Sequence, residues 1–109
     1  MRKPSENDYT VELEGVGSFV YGQRTIGDFL AIRRRFTELT DGSEDPYVTT
    51  IASITAVHER MCVSCPDGWE NLMDMPLSGR NDIIQKLLEL DRLIGEKENS
   101  FRQDTQVKG

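Results

Sequence analysis

Missing from this sequence is any apolar run approaching the ~18 residues that a membrane-spanning helix needs, and its opening stretch, MRKPSENDYT, lacks the apolar centre of a secretory signal. The chain is therefore expected in a cytosol, with no membrane partner. No Pro/Gly/Ser-rich linker separates its apolar stretches, so the 109 residues are expected to form one domain around one modest core. Positive charge is also short: 13 Lys and Arg stand against 19 Asp and Glu, a formal net charge of −6. Such a surface repels nucleic acid and anionic lipid, and leaves protein as the expected partner. The one basic cluster, Arg33-Arg34-Arg35, falls in a predicted helix, whose ~100° step per residue fans the side chains apart. It reads as solvated surface.

Catalytic signatures are missing too. There is no Walker motif, no Gly-x-Ser-x-Gly and no His-Glu-x-x-His, and the Gly15-Val16-Gly17 pair of glycines lacks the third that a dinucleotide fingerprint needs. No enzyme is expected. Histidine occurs once and cysteine twice, as His58, Cys62 and Cys65. Four residues apart, His58 and Cys62 would point the same way from a continuous helix, and Cys65 comes within reach if the chain turns back. A closed structural zinc site uses four protein ligands, and the nearest candidates for a fourth are the carboxylates Asp67 and Glu59. A redox role is disfavoured because the Cys-x-x-Cys pair is read at a helix C-terminus, where the dipole raises thiol pKa values. The expectation is no metal and no cofactor, with the thiols as small hydrophobes; a site of His58, Cys62 and Cys65 is the alternative. Pro66, Gly68 and Trp69 read as a turn and a structural anchor: proline sets φ, glycine accepts a positive φ, and tryptophan returns apolar surface to the core.

Present, in contrast, are clear periodicities. Residues 1–8 are polar and expected to be weakly held. From Tyr9, Val11 and Leu13 alternate with polar neighbours up to the Gly15-Val16-Gly17 break, and Phe19 and Tyr21 resume the alternation, which predicts a β-hairpin. Two strands alone are marginal, so the hairpin must lay one face on helices. Thr25 with Asp28 offers a capping pair for a first helix carrying Ile26, Phe29, Leu30, Ile32, Phe36 and Leu39 at near-helical spacing, stopped in the stretch DGSEDP. A second helix is expected from around Tyr47 to about Val63, with Tyr47, Ile51, Ile54, His58 and Met61 on one face. A third, beginning near Ser78 or Asn81, carries the stripe Ile83, Leu87, Leu90, Ile94 and weakens at Gly95. Its remaining apolar residues, Ile84, Leu88 and Leu93, lie off that stripe and are expected to meet a partner or a second copy of the chain. The predicted fold is α+β and mainly helical: an N-terminal β-hairpin packed on about three α-helices, a domain spanning 9–97, and a polar tail over 98–109.

The order of these features resembles the tail assembly chaperones of long-tailed phages and prophages. The resemblance is carried by LEGVGSFVYGQRTIGDFLAIRRRFTEL, by a second helix ending in MCVSCPDGWENL, and by IIQKLLELDRLIGEKENSFR, over roughly 11–102. It implies a non-enzymatic assembly factor in the host bacterial cytoplasm, absent from the mature virion. Such factors bind the helical tape-measure protein, assist addition of the tail-tube protein, and in many phages also exist as a longer frameshifted product. The paired cysteines depart from the family pattern and keep a small zinc-binding regulatory module open as an alternative, beside a generic protein–protein adaptor.

Overall fold

Why the hairpin forms is visible in its register. The computed structural model describes residues 1–77 and 82–108, and in it β1 (Tyr9–Leu13) pairs antiparallel with β2 (Gly17–Tyr21), Val11 opposite Phe19 and Tyr9 opposite Tyr21. The period-two pattern thus puts Tyr9, Val11, Leu13, Phe19 and Tyr21 on one buried face. Gly15 (φ 78°) and Gly17 (φ 140°) take the positive φ that the short connection requires. Gly17 has a second reason to be glycine: a Cβ there would stand 3.0 Å from the ring of Pro66.

Among the described residues the sheet has a third strand, β3 (Cys62–Ser64), on the other edge of β2. This corrects the expected extent of the second helix. α2 (Pro46–Met61) ends before Cys62, whose ψ of 126° turns the chain into extended geometry. The physical reason is the open edge of β2, whose unpaired amides and carbonyls are satisfied by the segment leaving the helix. Beyond β3, the N-terminal segment joins in: the Arg2 N–H donates to the Cys62 carbonyl at 3.1 Å.

α1 (Ile26–Thr40) starts as its sequence dictates. The Thr25 hydroxyl accepts from the Asp28 N–H, and the Asp28 carboxylate accepts from the Thr25 N–H. α2 is capped by Asp45, whose carboxylate accepts from the Tyr47 and Val48 amides, with Pro46 as the first helical residue. The proline read as a stop for one helix thus opens the next, where its missing N–H costs nothing. α1 packs mainly on α2, α2 on α3 (Asp82–Lys108), and α3 on β1. The expected start of α3 at Ser78 or Asn81 lies outside the described residues.

The core contains the inner face of the hairpin, Ile54, Val57, His58 and Met61 of α2, and Ile83, Leu87, Leu90 and Ile94 of α3. α3 does not weaken at Gly95 but runs through the polar stretch expected to be a tail. Phe101 explains part of this, since its ring stacks edge-on against Tyr9 at 5.4 Å, and Glu98 pairs with Arg24 at 2.6 Å. No helix among the described residues is long and apolar enough to cross a membrane.

Candidate functional site

Two features of the fold concentrate chemistry: a buried polar centre under the Cys62–Trp69 segment, and apolar surface left uncovered by the thin α1–α2 layer. The first begins with α2, which delivers His58 into the core at 1% exposure. Its Nε2 lies 2.7 Å from the Trp69 carbonyl, which only accepts, so Nε2 carries the proton and donates. Nδ1 then holds the lone pair and accepts from the Tyr21 hydroxyl at 2.7 Å. Burial lowers the histidine's pKa, against the raising effect of the Trp69 bond. Both ring nitrogens are engaged inside the core, which removes His58 from service as a solvent-facing base.

The turn after β3 completes this centre. The Trp69 N–H donates to the Pro66 carbonyl at 3.1 Å, and Gly68 sits at φ 89° between them, the positive φ of the third position in a type II turn. Trp69 is thereby swung inward, its ring edge-on to Phe19 at 5.5 Å. Pro66, Gly68 and Trp69 occupy the anchoring positions named from sequence, and Trp69 anchors twice, by ring and by carbonyl. The same turn brings Cys65 back, so that ligand atoms of His58, Cys62 and Cys65 all lie within 4.8 Å of one another. Cys62 is buried and Cys65 half-buried, and burial raises both thiol pKa values, that of Cys62 to about 12. Burial thus favours the protonated form of both thiols, more strongly for Cys62 than for the half-exposed Cys65.

The second feature is surface. Of the six apolar residues that α1 carries at near-helical spacing, only Ile32 is buried, while Ile26, Phe29 and Leu30 are exposed. The side of α1 that turns inward carries Asp28, Ile32 and Thr40; at ~100° per residue Leu30 points away from it, while Ile26 and Phe29 lie nearer that side but in the first turn of the helix, where they stay exposed. Between the end of α1, the first half of α2 and the 3-10 turn at Leu72–Asp74 lies a groove of about 340 Å³. Leu39, Tyr47, Val48, Ile51 and Met73 wall it over Ala52, and no charged side chain among the described residues lines it. Tyr47 and Met73 are 61% and 57% exposed, so the groove opens to solvent along apolar side chains.

The positions expected from sequence to bind a partner fall elsewhere. Ile84 and Leu93 are partly buried against the core, and Leu88 is half-buried on α3. Sequence reasoning missed the groove because it forms where two helices and a short turn converge, and no single helix periodicity reports that. It also missed an ionic cluster. Asp28, buried at 2% exposure, accepts from Arg2 at 3.1 and 3.2 Å, from Arg60 Nε at 2.9 Å and from the Thr25 N–H at 2.9 Å. Burial alone would raise its pKa, but the Thr25 amide, Arg60 and Arg2 outweigh it and hold the carboxyl well below the usual range.

Comparison of the chain with protein-family models, with curated proteins and with solved structures returns no match.

Proposed function

We propose that this protein is a non-enzymatic tail assembly chaperone of a long-tailed phage or prophage, acting in the host bacterial cytoplasm by binding the tape-measure protein. The observation that carries the reading is the open, uncharged groove of Leu39, Tyr47, Val48, Ile51 and Met73. Its chemistry suits the apolar face of an amphipathic helix, the form expected of a tape-measure segment. Further support comes from the hairpin followed by three helices, the order of elements on which the family resemblance rests. The engagement of both nitrogens of His58 inside the core also fits a binding role better than a catalytic one.

In this reading the apolar groove covers the partner's hydrophobic stripe, while the net charge of −6 keeps the loaded complex soluble. Tail-tube subunits are then brought to a tape-measure protein already held in solution. Co-expression provides the test. A tape-measure fragment that is insoluble alone should become soluble and co-elute with the wild-type chain. Met73→Glu, an exposed groove position, should reduce co-elution without altering the fold. A fragment that stays insoluble with the wild-type chain would overturn the chaperone assignment.

A further inference from the structure

We propose that His58, Cys62 and Cys65 bind a single zinc-class divalent ion, with His58 Nδ1 and the two sulfurs as its protein ligands. Four observations carry this. The first is convergence: donor atoms from α2, from β3 and from the turn after it lie within 4.8 Å of one another. Zn–S and Zn–N bond lengths imply tetrahedral edges of ~3.5–3.8 Å, so a contraction of at most ~1.3 Å is needed. Cys65, half-buried at the start of the turn, has room to supply it.

The second observation is the orientation of the imidazole. Metal-bound histidines commonly donate their other ring N–H to a backbone carbonyl, fixing the tautomer and the ring plane. The Nε2–H of His58 does this to the Trp69 carbonyl at 2.7 Å, leaving Nδ1 as the lone-pair nitrogen. That carbonyl belongs to the turn that carries Cys65, so one short segment supplies both a ligand and the outer support of another.

The third observation is charge. Binding expels two thiol protons to solvent, His58 keeps its Nε2 proton, and the two thiolates neutralise the dication. A site of zero net charge suits a buried location, where an unbalanced ion is costly. The fourth is a vacated hydrogen bond. Tyr21 now donates to Nδ1 from 2.7 Å, and when the metal takes that lone pair the phenol oxygen is left beside the ion. A water completes the tetrahedron, and Tyr21 keeps its proton, its O–H turning from Nδ1 to a thiolate sulfur nearby. Such an ion would tie α2, β3 and the Pro66–Trp69 turn together at one point, a staple of the kind small domains use.

This inference is independent of the chaperone reading, and either can fail alone. The probes are zinc and cobalt ions added to chelator-treated full-length protein. One equivalent of cobalt should give thiolate-to-metal charge transfer with tetrahedral d–d bands, and zinc should displace it and raise the melting temperature. Cys65→Ser should keep its helical circular dichroism and lower zinc affinity by more than the ~10- to 100-fold that loss of an outer-shell partner costs. Should that variant not fold, the wild type decides: zinc should slow alkylation of Cys65 severalfold relative to the metal-free chain. No stoichiometric cobalt spectrum, undiminished binding by folded Cys65→Ser, or alkylation indifferent to zinc would each overturn the proposal.

Discussion

Trp69 and Asp28 show how much one residue can carry in a chain of 109 residues. Trp69 closes the core against Phe19 with its ring and fixes His58 with its carbonyl. Truncation removes the ring but not the carbonyl, so Trp69→Ala should cost ~3–5 kcal/mol, the range for buried aromatics. In metal-free buffer the double variant Cys62→Ala with Cys65→Ala should cost much less. Urea denaturation of the two, side by side, checks the ranking. Asp28 carries a pH dependence. Its folded carboxyl is held below its ordinary value of 3.8, so the unfolded chain takes up the proton first. The stability it contributes is full above that ordinary value and is lost as pH falls through it toward the depressed folded value. Asp28→Asn should lower stability by roughly 1.5–3 kcal/mol at neutral pH, as for a lost hydrogen bond between charged groups. It should also flatten the acid limb of a stability–pH curve. An unchanged acid limb would show that other carboxylates govern it. The capping role of Asp28 was legible from Thr25-x-x-Asp28; its pairing with Arg2 and Arg60 was not, because partners 26 and 32 positions away leave no local periodicity.

Elements differed in legibility according to how local their causes are. The hairpin and the buried stripe of α3 follow from alternation and from 3.6-residue spacing, and both stand where expected. β3 does not, since three residues are too few for a period; what makes Cys62–Ser64 a strand is the open edge of β2. α1 shows the converse. The near-helical spacing of its apolar residues does not say which of them a neighbour covers: the helix packs chiefly on α2, and Ile26, Phe29 and Leu30 stay exposed. α3 offers a direct test of continuity. Gly95 lies inside the helix with nothing within 4 Å of where a Cβ would sit. Gly95→Ala should therefore stabilise the protein by ~0.5–1 kcal/mol through backbone entropy alone. Destabilisation in a thermal melt would mean that α3 bends or ends at this position in solution.

At the scale of the whole molecule, an acidic surface surrounds apolar openings that the fold leaves uncovered. The apolar surplus expected from the α3 periodicity, Ile84, Leu88 and Leu93, is partly covered in the single chain, and a helical wheel alone cannot say which neighbours cover a face. A further apolar opening, the groove, lies where α1, α2 and the turn at Leu72–Asp74 meet. If apolar burial drives partner binding there, raising salt should change affinity little, unlike a contact dominated by phosphate or surface charge. A steep salt dependence in calorimetry would point to an ionic partner surface. The central claim is that this groove takes an apolar helix face of the tape-measure protein, and amide hydrogen exchange on the complex tests it most directly. The account predicts that binding slows exchange in the first half of α2 and across Leu72–Asp74, with little change at the exposed ends of the molecule; protection confined to α3, or none at the groove, would contradict it.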